Sequence, residues 1–278
     1  MQATEGLTHE QRAQYDEVGY VRLNGFAPDD VCRRMLDRVV ELAHAHAENH
    51  RGVPGFVLPE ANLAGTAGKS APANPEDLVS KIFKLHGDTV FADFAHSPAV
   101  TDLLVDLIGP HLDCFLSQFI FKNPGAWGQP WHQDSYYFPF DPPRPIVGVW
   151  LAVTEATLEN GCLHVVPGSH REPVHEHVPD RRPGANYGYV EIVDHPPPDP
   201  TLPPCAEATA SPLSRPDMGA AVPVLMDPGD LLLFDSHLMH RSTDNESTGR
   251  RGAMVFHYAA TGTVDTGHNL VNDFVTVR

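Results

Sequence analysis

Lysine is scarce in this chain. Lys69, Lys81, Lys84 and Lys122 are the only four, and 19 Lys and Arg together face 36 Asp and Glu. The formal net charge of −17 repels a polyanion at long range and leaves few cations to neutralise phosphates. Nucleic acid is therefore not expected as a partner, and a coenzyme A thioester is disfavoured as a substrate. No run of about 18 uncharged apolar residues occurs, so no membrane span is expected. Met1–Glu5 lacks the basic and then apolar regions of a secretory leader. The cysteines Cys32, Cys114, Cys162 and Cys205 are scattered and form no C-x-x-C pair. That argues against a zinc knuckle or a disulfide framework and fits a reducing cytoplasm. Nothing in the sequence bears on oligomeric state. What is present is 278 residues with 41% hydrophobic content, enough for a substantial core in a single domain over 1–278.

The pattern along the chain changes once. Thr8-His9-Glu10-Gln11 has the form of a capping box, predicting a helix over 8–18. Tyr20–Leu23 reads as a short strand. Pro28-Asp29-Asp30 opens an amphipathic helix on which Val31, Met35, Val39 and Leu42 recur at helical spacing, ending near 50–52. Residues 52–76 read as a loop, and 88–95 and 98–109 as helices. From about 113 onward, short runs rich in apolar, aromatic or β-branched residues take over: 115–122, 146–154, 161–167, 223–226, 230–234 and 253–260. Asn160-Gly161, Pro167-Gly168 and Pro228-Gly229 punctuate them. The expectation is a mainly β fold, a cupin-like jelly roll over about 113–262, buttressed by a helical segment over about 1–112. Residues 173–223 hold 12 of the 27 prolines and little apolar periodicity. They read as an insertion or lid over the barrel mouth. Arg171, Arg181, Arg182, Tyr187 and Tyr189 are its candidate substrate contacts, suited to an acid.

His132-Gln133-Asp134 carries the chemistry. Two imidazoles and a carboxylate can occupy one face of a ferrous ion and leave the other open, which suits O₂ chemistry. With 17 histidines, about one H-x-D triplet arises by chance. Two others exist, His86-Gly87-Asp88 and His111-Leu112-Asp113; neither precedes a suitable strand pair, and both read as surface residues. The second histidine could be His237 or His240. Only His240 is followed by Ser242 at +2 and Arg251 at +11. An arginine there can clasp the far carboxylate of a keto acid through two parallel hydrogen bonds. Arg250 is the neighbouring alternative, and strand alternation lets only one of the two point inward. The spacing favours Arg251. His257 reads as a packed, barrel-facing histidine, and His170 as one that fixes a turn by hydrogen bonding.

At these residues the sequence resembles the phytanoyl-CoA dioxygenase family. The matching stretches are Trp131–Phe140, Glu159–Leu163, Val166–His170 and Pro228-Gly229-Asp230 through His240 to Arg251, with Tyr15–Phe26 near the start. The resemblance implies a double-stranded β-helix that uses Fe(II), 2-oxoglutarate and O₂. It implies His132, Asp134 and His240 as iron ligands, and Arg251 and Ser242 as holders of the distal carboxylate of 2-oxoglutarate. Trp150, Lys81 and Gln118 match further cosubstrate-lining positions. The implied reaction hydroxylates a C–H bond of a small molecule and releases succinate and CO₂. Related halogenases lack the carboxylate ligand, so Asp134 implies hydroxylation rather than halogenation. A non-catalytic metal-binding jelly roll and a zinc-dependent hydrolase are the alternatives.

Overall fold

The computed structural model describes residues 6–48, 56–60, 74–180, 182, 189–193 and 218–278. The capping box forms: Gln11 N donates to Thr8 Oγ1 at 3.2 Å and Thr8 N to Gln11 Oε1 at 2.9 Å. Helix α1 runs His9–Val18 and stops at Gly19, whose φ of 86° and close contact with the His170 ring both require a residue without Cβ. Strand β1, Tyr20–Leu23, follows. Helix α2, Asp29–Ala47, buries Cys32, Met35, Val39, Leu42 and Ala43, whereas Val31 is only half-buried. Helices α3, Thr89–Ala95, and α4, Pro98–Val105, pack beside it, and the second is shorter than its sequence predicts. Residues expected to be loop instead contain strand β2, Val57–Pro59, which pairs with β3, Val79–Phe83.

The later strands are β4 (Leu112–Lys122), β5 (Phe140–Asp141), β6 (Ile146–Ala152), β7 (Leu163–Val165), β8 (His177–Pro179), β9 (Val190–Ile192) and β10 (Val222–Val224). They continue as β11 (Leu231–Asp235), β12 (His240–Ser242), β13 (Arg251–Ala260), β14 (Val264–Asp265) and β15 (Val275–Thr276). The large sheet runs β1-β11-β6-β13-β4-β3-β2, with β15 also on β4, and every pairing is antiparallel. The small sheet is β10-β7-β12. His132 extends it by exchanging backbone hydrogen bonds with His240, at 2.9 and 3.0 Å. Helices first and antiparallel strands afterwards give the strand-rich jelly roll that the residue pattern implies. The 173–223 insertion falls partly outside the described residues; its described part includes the β8–β9 hairpin.

Alternation along β13 positions the site. Met254 and Phe256 join the apolar core shared with α2, α3 and α4. Arg251, Val255 and His257 face the opposite way, into a cavity between the sheets. On β4 the inward set is Leu116, Gln118, Ile120 and Lys122; on β6 it includes Trp150.

Candidate active site

His132, Asp134 and His240 converge. Their ligand atoms all lie within 4.8 Å of one another, and all three residues are buried. Asp134 Oδ1 is 3.6 Å from His132 Nε2 and 3.7 Å from His240 Nε2. Each histidine donates Nδ1–H to a carbonyl two residues back, His132 to Pro130 at 2.7 Å and His240 to Leu238 at 2.9 Å. Those bonds fix the tautomer and turn both Nε2 lone pairs toward Asp134. Burial, followed by the His132 ring beside it, pushes His240 down to about 4, so it is a neutral donor at physiological pH. Burial alone would raise the Asp134 carboxyl. The His240 and His257 rings and the hydrogen bond from His257 outweigh it and hold the group well below the usual carboxylate range. The set is two imidazole nitrogens and one carboxylate, which suits a divalent iron.

The residues around the triad have definite tasks. His257 Nε2 donates to Asp134 Oδ2 at 2.7 Å, so this histidine orients a ligand in addition to packing. Gln133, fully buried between the two ligands, donates to the Pro173 and His237 carbonyls and accepts from His175 N. It thereby ties the 172–177 segment to the ligand strand. His237 is held by Glu172 O and Asp235 and stays outside the cavity lining. Of the two other H-x-D triplets, neither is wholly superficial. His86 is buried against Ser117, Asp88 caps α3, and Asp113 accepts from Thr261; of these histidines and aspartates only His111 is exposed. His170 is buried over Gly19 with Nδ1 unpaired, and its ring hydrogen-bonds the Asp16 backbone, so it holds the end of α1 by packing and by that bond.

All eight sequence-derived site residues line one cavity of ≈ 550 Å³: Lys81, Gln118, His132, Asp134, Trp150, His240, Ser242 and Arg251. Arg251 is 1% exposed. It donates Nη2–H to Gly161 O at 2.8 Å and lies over the Trp150 ring, while its Nε and Nη1 have no partner. Burial lowers it to about 10, and it stays a cation at neutral pH. Arg250 turns outward, donating to Asn123 and pairing with Asp77. Trp150 Nε1 and Gln118 Oε1 are also buried without partners. The unsatisfied N–H donors of Trp150 and Arg251 mark a place for an anion with several acceptors, whereas Gln118 Oε1 is an acceptor. A keto-diacid fits it, and the triad fits iron.

Two cavity residues escaped the sequence. Lys122 is buried and donates Nζ–H to Ser242 Oγ at 2.8 Å and to Thr243 O. Gln129 donates Nε2–H to His132 Nε2 at 2.9 Å, and its Oε1 accepts from Lys81 Nζ at 3.1 Å. Neither stands within a motif whose chemistry would flag it. The lid arginines fare differently. Arg171 donates to Asp16 O, and Arg182 pairs with Asp180 over the Trp127 ring, so neither lines this cavity. Tyr189 does, with Lys81 Nζ over its ring. Arg181 and Tyr187 lie outside the described residues.

Comparison with known proteins agrees with this geometry. The phytanoyl-CoA dioxygenase (PhyH) family model matches residues 15–253. A probable phytanoyl-CoA dioxygenase of Caenorhabditis elegans is 30% identical over 261 residues, covering 91% of this chain and 75% of that protein. Phytanoyl-CoA dioxygenase 1 of Oryza sativa subsp. japonica is 29% identical, covering 90% and 88%. Among solved structures, the epimerase SnoN in complex with Fe3+, alpha ketoglutarate and nogalamycin RO aligns with a TM-score of 0.67 at 18% identity, over 97% of this chain and 98% of that one. EctD from S. alaskensis with 2-oxoglutarate and 5-hydroxyectoine aligns at 0.63 and 20%, over 94% and 79%. At these identities the solved structures speak to fold alone.

Proposed function

We propose that this chain, which belongs to the phytanoyl-CoA dioxygenase family of Fe(II)- and 2-oxoglutarate-dependent enzymes, hydroxylates a C–H bond of an apolar small molecule that carries no polyphosphate. One observation carries the reading: the polarity of the cavity is divided along β4 and β13. Lys122 and Arg251 are register partners at one end. Leu116 and His257 are register partners six residues away, about 20 Å along the strands. Around that second end lie Phe83, Phe138, Leu270 and Val271, with Phe56 exposed nearby in the lining. Among the described lining residues the cations are Lys81, Lys122 and Arg251, apart from histidines. The charged end suits the cosubstrate, and the apolar end suits the substrate.

Iron held by His132, Asp134 and His240 would bind the keto acid and activate O₂. The protein's part is orientation and exclusion of water. The Pro130 and Leu238 carbonyls lock the two imidazoles, and His257 locks Asp134. Arg251, with its free Nε–H and Nη1–H, fixes the distal end of the cosubstrate, and Trp150 packs beneath the guanidinium. Leu116, Phe138, Phe234 and Val255 line the apolar end and help to exclude water there.

The decisive assay is succinate formation from 2-oxoglutarate with Fe(II), run against free apolar compounds and against phytanoyl-CoA. Stimulation by an uncharged apolar compound, with ¹⁸O from ¹⁸O₂ in its product, is the expected result. Stimulation by the CoA thioester alone overturns the substrate class. No succinate with Fe(II), together with hydrolysis of an ester or amide probe with Zn(II), would instead favour a hydrolase. No described helix is long and apolar enough to cross a membrane. Cys32, Cys114 and Cys162 are free thiols, which supports a cytoplasmic location; mammalian relatives carry the word peroxisomal in their names, and import of a tagged chain into peroxisomes would refute it.

A further inference from the structure

We propose that Lys122 is a second cation, beside Arg251, that grips the distal carboxylate of 2-oxoglutarate and makes the site demand a dicarboxylate keto acid. The inference rests on the cosubstrate reading above. Lys122 ends β4 and Arg251 begins β13, and they face each other as Cα partners on the cavity side of the sheet. Like charges directly opposite in an antiparallel pair destabilise it. Here both are almost fully buried, at 4% and 1% exposure. Among the described residues no carboxylate forms an ion pair with either. Lys122 has only neutral acceptors, Ser242 Oγ and Thr243 O, and Arg251 has only Gly161 O. Burial, followed by the Arg251 charge, pushes the Lys122 amine well below its usual range, and the Asp244 and Glu60 carboxylates act on it in the opposite sense. An anion bridging Lys122 and Arg251 would offset that burial and favour the charged amine.

The surroundings are shaped for the same purpose. Ser242 Oγ accepts from Lys122 Nζ and from Gln129 N, so its own O–H is left to donate. Gly161 forms the floor. It has φ +82°, and a Cβ there would meet Lys122 Cδ at 2.7 Å and Nζ at 3.0 Å, and Thr243 O at 2.4 Å. Only glycine lets the lysine stem cross that turn while the Gly161 carbonyl holds Arg251. Lys81 is engaged elsewhere, on Gln129 and the Tyr189 ring.

The test uses Fe(II)-loaded protein without O₂ and follows binding by the visible charge-transfer band of the iron–keto-acid chelate. The probes are 2-oxoglutarate and 2-oxobutyrate, which lacks the distal carboxylate. Lys122→Met is expected to weaken 2-oxoglutarate about 30-fold or more, the usual consequence of truncating one partner of a buried charged contact. It should change 2-oxobutyrate by less than about threefold, and Lys122→Arg should recover part of the loss. A lysine that merely props the Ser242-Thr243 turn would weaken both probes alike, and that result overturns the proposal, as does unchanged 2-oxoglutarate affinity. If the parent protein itself forms no chelate with 2-oxoglutarate, the cosubstrate reading falls and this proposal with it. Misfolding is checked by Fe(II) affinity and melting temperature, which Lys122→Met is expected to leave at or above the parent's, because an unpaired buried cation is removed; a variant that loses Fe(II) binding or melts well below the parent instead shows a structural lysine and overturns the proposal.

Discussion

Replacing His257 with phenylalanine isolates one hydrogen bond to an iron ligand. The ring sits among Phe115, Phe138 and Phe234, with centroids at 6.0, 5.1 and 6.1 Å, so a phenyl group of nearly equal shape fits without a cavity. What disappears is the 2.7 Å contact from Nε2–H to Asp134 Oδ2. His257 is 2% exposed and Asp134 8%, so water does not readily replace the donor. A hydrogen bond to a charged group contributes about 1.5–3 kcal/mol. The unanchored carboxylate also loses its fixed orientation. The expected result is Fe(II) affinity weaker by about 10- to 100-fold, the range found when a partner of a metal ligand is removed. Melting temperature in the metal-free state should move far less than the loss of a packed aromatic would require. Fe(II) affinity is read anaerobically by chelator competition, and His257→Gln, which keeps a donor, should retain more of it. Affinity within about twofold of the parent in His257→Phe would show that Asp134 is positioned by its backbone alone.

Other perturbations probe other parts of the site. Arg251→Met should raise the 2-oxoglutarate KM by about 30-fold or more with Fe(II) affinity unchanged, since a buried charged contact costs about 2–5 kcal/mol when truncated; an unchanged KM contradicts the clamp. Asp134→Ala should remove hydroxylation by deleting the anionic ligand, and full turnover at ordinary iron concentration would reject the triad. Acid should weaken the metal-free protein. Burial pushes both His177 and His240 down to about 4, and His177 Nε2 accepts from Gln133 N, a bond that protonation destroys. Their folded values lie below the unfolded value of about 6.5, so the unfolded chain takes up protons first. Stability therefore falls as pH drops from about 6.5 toward 4, by about 2 kcal/mol per ring at pH 5. Equal denaturant midpoints at pH 7 and pH 5 would refute this.

Much of the architecture was legible because it obeys local rules. The Thr8–Gln11 box and Gly19 bracket α1, and the period of Met35, Val39 and Leu42 marks α2. The late strands announced themselves by β-branched and aromatic runs between glycine turns. Strand β3 did not. Val79–Phe83 is short, follows a Pro- and Gly-rich stretch, and is stabilised by β4 rather than by its own pattern. Hence Lys81 was expected ahead of the jelly roll and lies instead on a strand of its large sheet. The metal triad was readable from spacing, because H-x-D and a distant histidine have few other joint explanations. Lys122 and Gln129 were not. A single lysine at a strand end looks like a solvated residue until the fold places a buried arginine opposite it.

The ladder between β4 and β13 carries a further consequence. It holds its register from Arg251↔Lys122 to His257↔Leu116, then slips, with Tyr258 opposite Cys114 and Phe115 left over. Bulges of this kind re-aim a side chain where pairing would otherwise dictate its face. The surplus Phe115 packs with Phe138, Phe140 and Phe274 and against the His257 ring. That cluster braces the histidine that holds Asp134. Below the slip, strict alternation keeps Lys122, Gln118, Arg251 and Val255 on the cavity side. A shift of one residue there would swing Arg250 inward and break its contacts with Asp77 and Asn123. The same ladder thus aligns the two buried cations at one end and, through its single irregularity, supports the metal ligand at the other.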